Sequence, residues 1–392
     1  MREDWEYKTF GEIGTFLRGK NIQKADFVSG GLPCIHYGQI HTKFDISIDY
    51  HLSEIPQEVY DKAIIASPGD VIIAITSEDI DGSCKSVVWL GNYDIAVSAH
   101  AAILKHNMNG KFIAYYLRSN TFFTQKLKYA RGFKVMEIKT KDLAKLVLPI
   151  PPKPTQLSIV SELDKLNELI RIKKEQLKDY DALAQSIFYE MFGDPVENEK
   201  GWEVKKLMEI CDVRDGTHDS PKYVESSNYM LITSKNIVNR AISFDDVNYI
   251  TEEDYNNINK RSKVDDGDII MPMIGTIGNP VIVYLDNLHK FSIKNVALIK
   301  FFHNTSILNR YLLELMISDS FRKYLLSLNK GGTQKFVALG TIRRMDIILP
   351  PLSLQQSFAH KIEQIERQKA AVQSTITDLE TLLAARMQYW FD

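Results

Sequence analysis

The chain repeats itself, and this constrains its fold more than any other feature. Trp5-Glu-Tyr-Lys-Thr-Phe-Gly-Glu-Ile13 returns as Trp202-Glu-Val-Lys-Lys-Leu-Met-Glu-Ile210, with five of nine positions identical at an offset of 197. Gly69-Asp70-Val71-Ile72 returns as Gly267-Asp268-Ile269-Ile270, Ala102-Ile103-Leu104 as Ala297-Leu298-Ile299, and Leu148-Pro149 as Leu349-Pro350. The matches keep one order at offsets of 195 to 201. Solenoid repeats run to roughly 20–50 residues, so the 392 residues read as two copies of one large unit.

Each copy has two parts. The first parts, residues 1–154 and 196–352, hold short apolar runs between Gly, Pro, Asn and Asp, such as Asp70–Ile75, Ser86–Leu90 and Pro280–Tyr284. Such runs are strands. Phe112–Leu127 and Ile307–Leu328 have helical spacing without internal Gly or Pro, so the modules are α+β. Proline breaks at Pro149–Pro154 and Pro350-Pro351 stop the sheet and start a helix.

The second parts, 155–195 and 353–392, carry a regular apolar pattern. Steps of four and three from Ile159 reach Leu163, Leu166, Ile170, Lys173, Leu177, Tyr180, Ala184, Ile187 and Met191. From Phe358 they reach Ile362, Ile365, Lys369, Val372, Ile376, Leu379, Leu383, Arg386 and Trp390. This is a two-position seam with charged residues between, the pattern of a coiled coil. Thirty-five residues at ~1.5 Å each give a rod of ~50 Å. The expected architecture is α+β: two similar modules and two long helices packed as an antiparallel coiled coil, with a pseudo-twofold internal repeat. In the alternative, each rod covers its own module.

Basic charge is local. Lys+Arg number 48 and Asp+Glu 50, a net charge of −2, so composition does not announce nucleic acid. Yet Lys126–Lys145 holds seven basic and two acidic residues, and Phe321–Met345 holds Arg322, Lys323, Lys330, Lys335, Arg343 and Arg344 with no acid. Each stretch contains a glycine loop, Arg131-Gly132-Phe133-Lys134 and Lys330-Gly331-Gly332-Thr333-Gln334-Lys335. Glycine lets backbone amides approach phosphates, and Lys, Thr and Gln donate to phosphates and base edges. Polar loops near the start of each copy add Arg18, Lys20, Tyr37 and Gln39 in the first, and Thr217, His218, Ser234, Lys235 and Asn236 in the second. With Arg131, Lys134, Gly332, Thr333, Gln334 and Lys335 these are the candidate contacts to double-stranded DNA.

Catalytic motifs are missing. There is no GxxxxGK[ST] loop, no HExxH, and no Asn-Pro-Pro-Tyr-type tetrapeptide. Glu137-Ile-Lys139 has the spacing of part of a nuclease site but no convincing upstream aspartate. His218, Asp219 and Ser220 are sequence neighbours, which seldom form a triad. Cys34, Cys84 and Cys211 are far apart and form no CxxC pair, which fits a reducing compartment. Met1-Arg2-Glu3-Asp4 is no signal peptide, and no apolar run approaches the ~18 residues of a membrane span. A cytoplasmic, non-catalytic binding protein without a metal is the expectation.

Taken together, the Trp-Glu-x-Lys starts, the Gly-Asp-[Val/Ile]-Ile strands, Asp215-Gly-Thr-His-Asp-Ser-Pro221, the Leu-Pro helix starts with Gln156 and Gln355, and the ends Phe192-Gly-Asp and Trp390-Phe-Asp resemble the specificity subunit of Type I restriction–modification systems. The resemblance spans the chain. It implies two target-recognition domains, each reading half of a bipartite, asymmetric DNA site. It also implies helices that set the gap and dock DNA adenine methyltransferase subunits, two in number, with restriction subunits joining them. S-adenosylmethionine, ATP and magnesium would belong to those partners and no cofactor to this chain. Where copy two has Asp-Gly-Thr-His-Asp-Ser-Pro, copy one has Arg18-Gly-Lys-Asn-Ile-Gln-Lys24 and departs from the pattern. The competing readings are a stand-alone nuclease using Glu137 and Lys139, and a coiled-coil scaffold that binds only protein.

Overall fold

In the computed structural model, which describes residues 5–132, 134–219, 221–275, 277–286, 288–328 and 336–392, the first and last strands of each repeat find each other. Glu6–Thr9 pairs antiparallel with Val147–Ile150, and Glu203–Lys206 with Asp346–Leu349. In both copies a short helical turn follows the first strand, and a glutamate three residues on caps it. Glu12 accepts the Thr9 N–H at 2.6 Å, and Glu209 accepts the Lys206 N–H at 2.6 Å. The repeated Trp-Glu-x-Lys segment thus leads into a strand that closes its module beside the helix start.

The chain divides into two units, Met1–Lys174 with Ser374–Asp392, and Glu175–Gln373. Each unit holds one module and part of each of two 40-residue helices, Lys153–Phe192 and Leu352–Phe391.

In the first unit a five-stranded sheet has the order Ser47–Ile48, Ser86–Trp89, Val71–Ala74, Ala101–His106, Gly14–Arg18. A four-stranded sheet orders Ser53–Ile55, Leu32–Ile35, Ile95–Val97, Ile64–Ala66. In the second unit the corresponding four-stranded sheets order Cys211–Asp215, Val296–Phe301, Ile269–Pro272, Val281–Ile282, and Tyr223–Val224, Asn248–Ile250, Tyr229–Ile232, Lys290–Ile293. One parallel pair recurs, Leu32–Ile35 with Ile95–Val97 and Tyr229–Ile232 with Lys290–Ile293. The Gly-Asp-[Val/Ile]-Ile text also acquires a cause. Asp70 accepts the Ser67 N–H at 2.6 Å and pairs with Lys105. Asp268 accepts the Asp265 N–H at 2.7 Å and pairs with Lys300 at 2.5 Å. Each aspartate ties the turn before a buried strand to the neighbouring strand.

The helices expected over Phe112–Leu127 and Ile307–Leu328 are each broken in two. Gly110–Tyr116 is followed by Asn120–Lys126, and Asn309–Ile317 by Asp319–Ser327. Serine marks both breaks. Ser119 Oγ accepts the Phe122 N–H at 3.1 Å and so starts a new helix, and Ser318 adopts an extended backbone with ψ 147°. Apolar periodicity runs through such a break, so spacing alone conceals it.

The helices run antiparallel within each unit. In the first, Glu162 pairs with Arg386 and accepts the Trp390 Nε1–H at 3.0 Å, while Lys174 meets Glu380 at 2.7 Å. In the second, Lys369 on the seam reaches Asp181 at 2.9 Å and Glu366 at 3.1 Å. Arg386 lies over the Tyr389 ring at 4.4 Å and holds the Glu162 carboxyl below the usual range. The seam is not the whole buried face. Ile159, Leu163, Phe358 and Ile362 lie on it and are fully buried, but so are Phe188 and Phe192, which lie off it, while Ile187 and Met191 are only half-buried. Phe188 and Phe192 pack on Tyr311 at 6.0 and 4.8 Å and on Phe358 at 5.7 and 5.1 Å. Phe391 likewise packs on Phe112 at 5.5 Å. A helix that meets both a partner helix and a module needs a wider stripe than a coiled-coil seam. Both sequence alternatives therefore hold in part: the rods pair, and their ends cover the modules. Among the described residues no helix is long and apolar enough to cross a membrane.

Phe188→Ala empties a fully buried aromatic site. It should cost about 3–5 kcal/mol, read as a lower urea midpoint for the second unit with tyrosine fluorescence or hydrogen exchange as the probe. A change under about 1 kcal/mol would mean that the ring is not part of the core.

Candidate nucleic-acid interface

A glycine begins the site in each copy. Gly19 donates its N–H to Ala101 O at 2.9 Å and Gly216 to Val296 O at 3.0 Å. A Cβ would fall 2.1 Å from Ser98 O at Gly19, and 2.3 Å from Ile293 O at Gly216. Only glycine allows that approach. It seats the loop after the strand against the sheet-to-sheet turn Ser98–Ala101 in one copy and Ile293–Val296 in the other. Lys20 bridges Ser98, and Thr217 bridges Lys294.

In the first module several candidates converge. Arg18 ends its strand and reaches Glu137 at 3.1 Å. Glu137 pairs with Thr76 on an adjoining strand. Its backbone exchanges hydrogen bonds with Arg131 at 2.8 and 3.1 Å, closing a loop on which Lys134 is exposed. Gly132 turns this loop at φ 126°, where a Cβ would fall 1.9 Å from Val135 O. Tyr37 donates its N–H to Ser98 Oγ at 2.9 Å, and its ring lies 6.3 Å from His41 and 5.1 Å from His100. His41 Nε2 is 3.0 Å from Thr76 O. Arg18, Lys20, Tyr37, Arg131 and Lys134 thus share one neighbourhood, and His41 and His100 join it unannounced by any motif.

In the second module Asp215 is buried at 5% exposure. Its carboxylate pairs with Arg261 and with His218 Nε2 at 2.6 Å, while His218 Nδ1 lies 3.1 Å from Asn295 Oδ1. Two acceptors on the two ring nitrogens favour the imidazolium. The Asp215 hydrogen bond, then that of Asn295, raises the His218 pKa against burial and the nearby Arg261 charge. A cleft of about 510 Å³ opens here, lined by Thr217, His218, Asp254, Asn257 and Arg261 among others. The helix behind it, Glu252–Ser262, has 11 residues where copy one has the four of Gln57–Tyr60. That longer helix brings Arg261 to Asp215, a pairing across 46 positions that no local pattern announces.

Two expected base readers are instead caps. Gln39 Oε1 accepts the His36 N–H at 2.9 Å and Gln39 Nε2 donates to Ser53 Oγ at 2.8 Å. Asn236 Oδ1 accepts the Thr233 N–H at 3.0 Å, and Asn236 Nδ2 donates to Asp246 O at 2.9 Å, on a side chain 3% exposed. In each copy the amide oxygen caps the same turn, three residues after its first residue, and the amide nitrogen donates to a segment outside it, so both side chains are tied into the fold. The reciprocal spacing, His36-x-x-Gln39 and Thr233-x-x-Asn236, carried that signal. Ser234 is half-buried beside this turn, and Lys235 is exposed and paired with Asp246 at 3.1 Å. Gly332, Thr333, Gln334 and Lys335 lie outside the described residues. Glu137 is engaged by Arg18, and no group of three or more His, Cys, Asp or Glu placed to hold a metal occurs among the described residues.

A sequence profile described as the Type I restriction modification DNA specificity domain matches residues 2–179 and 199–381. The chain is 22% identical over 388 residues to the Type I restriction enzyme MjaVIII specificity subunit of Methanocaldococcus jannaschii, covering 93% of this chain and 86% of that protein. It is 21% identical over 402 residues to the EcoKI specificity subunit of Escherichia coli, covering 93% and 82%. Its fold is similar to that of the Type I restriction–modification S subunit of M. genitalium, with a TM-score of 0.53 at 12% identity over 99% of this chain and 96% of that one. It is also similar to a chain from a structure on complex assembly and conformational transition of the type I R-M system, with a TM-score of 0.60 at 18% identity over 100% and 98%.

Two outcomes follow. Lys134→Glu should weaken binding to every DNA sequence and lower the slope of log affinity against log salt by about 1, measured by fluorescence anisotropy with duplexes of unrelated sequence; a change confined to one sequence would show a base contact instead. His218 is cationic below its raised pKa and loses that charge, and its contribution to holding the loop, as pH rises through that value. DNA affinity should therefore fall as pH rises through that raised value, and His218→Ala should flatten that dependence. An unflattened profile would exclude His218 as its source.

Proposed function

The chain belongs to the Type I restriction–modification DNA specificity family, and from that premise we propose that it is the DNA-reading subunit of a Type I complex, without chemistry of its own. Each module reads one half of a bipartite site. The two long helices set the gap between the halves and dock two DNA adenine methyltransferase subunits, to which restriction subunits are added. S-adenosylmethionine, ATP and magnesium serve those partners.

One observation carries this reading: a single hydrogen-bonded framework occurs twice, and its tips carry different side chains. The glycine approach, the strand-end cap and the Asp–Lys tie recur, while Arg18, Tyr37 and His100 occupy one tip and Asp215, His218 and Asn295 the other. A framework held constant under a varied polar surface supports two readers of different half-sites. Phosphate contacts would come from Arg131 and Lys134, which position without specifying. The exposed apolar residues Leu169, Ile172 and Leu183 on one long helix and Leu382 and Tyr389 on the other supply area for a docked protein.

Methylation mapping by long-read sequencing tests this. A strain carrying the gene should lose one bipartite, asymmetric N6-methyladenine motif when the gene is deleted. Four residues inserted into both long helices add ~6 Å, and the gap in the motif should grow by about one to two base pairs at 3.4 Å each. A motif that survives deletion contradicts the assignment, and an unchanged gap contradicts the ruler.

A further inference from the structure

The turn that carries the chain from one sheet to the other takes the same left-handed conformation in both copies. His100 has φ 68° and Asn295 has φ 56°, and the two occupy equivalent positions at an offset of 195. Glycine adopts such angles freely, whereas other residues do so uncommonly, Asn and His more often than most. Neither copy uses glycine here. Each keeps a side chain with both donor and acceptor capacity.

What surrounds these two residues is the candidate interface itself. His100 is exposed, and its ring lies 5.1 Å from Tyr37, beside the Lys20–Ser98 bridge. Asn295 Oδ1 meets His218 Nδ1 at 3.1 Å, and its N–H faces Thr217 O at 3.3 Å. The Asn295 Nδ2 group has no acceptor among the described residues. The adjacent amides Gln39 and Asn236 are committed to caps. His100, exposed, and Asn295, half-buried with its Nδ2 unengaged among the described residues, thus keep hydrogen-bonding capacity at this turn.

We propose that His100 and Asn295 are specificity-determining residues, each reading a base edge in the half-site of its own module. This rests on the reading of the modules as half-site readers. The left-handed backbone places each residue in the turn seated against Gly19 or Gly216. Asn295, its Oδ1 engaged by His218, offers the Nδ2 donor to a base edge, and histidine a different pattern. The two halves of the site differ in part because these residues differ.

The test uses the full chain with its partner subunits in a strain lacking its own copy, with genomic DNA as the probe. His100→Gly and Asn295→Gly both remove the side chain and leave a residue that favours the observed φ, so thermal unfolding should stay at or above that of the parent for His100→Gly and close to it for Asn295→Gly, which also loses the His218 hydrogen bond. The expected result is that His100→Gly relaxes discrimination at a base position in one half-site on the order of tenfold, with the other half and the gap unchanged, while Asn295→Gly does the same in the opposite half. An unchanged motif, or lower methylation with every position still fully specified, overturns the proposal and makes these residues turn or phosphate-positioning elements. No bipartite motif with the parent chain would overturn the underlying reading, and this assignment with it.

Discussion

Neither module completes its core with its own sequence. Phe112 and Tyr116 in the first are covered by Phe391, near the end of the chain, at 5.5 and 5.7 Å. Tyr311 and Phe358 in the second are covered by Phe188 and Phe192. Each unit needs the start of one long helix and the end of the other. Pairing the helices antiparallel is thus a condition of burying both cores, because hydrophobic stabilisation scales with the apolar area removed from water. The polar groups along the pair set its register. Glu162 with Arg386 and Trp390, and Lys369 with Asp181, match one depth on one helix to one depth on the other, as a polar group on a seam does.

A core closed in this way leaves the turns Ser98–Ala101 and Ile293–Val296 outside it, held by polar contacts. The framework contacts that recur in both copies are backbone closures, caps, the Asp–Lys tie and the glycine approach, and of these the glycine approach fixes the backbone of the tips. The glutamine after each proline break belongs with them. Gln156 Nε2 donates to Pro151 O at 2.9 Å and Gln355 Nε2 to Pro350 O at 2.9 Å, fixing how each sheet hands the chain to its helix. Change at the tips then leaves the core intact. The helix Glu252–Ser262, extended relative to Gln57–Tyr60, is such a change, and it supplies Arg261 to one interface with no equivalent in the other.

The repeat, the proline breaks and the long helices were legible in the sequence because each is local or periodic. The buried face of the helices was legible only in part. A fixed step of four and three follows a partner helix but not a module, so it passed over Phe188 and Phe192. The helix breaks at Ser119 and Ser318 were hidden by continuing apolar spacing. Arg18, Lys20, Tyr37, Arg131 and Lys134, singled out by charge and loop chemistry, lie in one neighbourhood. Gln39 and Asn236 were misread because an amide three residues after a turn's first residue caps it as readily as it reads a base. Asp215 with Arg261, and the backbone of His100 and Asn295, depend on tertiary pairing and on φ, which residue identity does not encode.

The central claim is that one framework, used twice, reads two different half-sites. The most direct measurement is the methylated motif produced by a chain in which the first module, through Ile150, is replaced by a second copy of residues 202–349, both long helices being kept. The account predicts a symmetric bipartite motif, an inverted repeat of one half of the parent site with the parent gap. Retention of the asymmetric parent motif by this folded chain would contradict it.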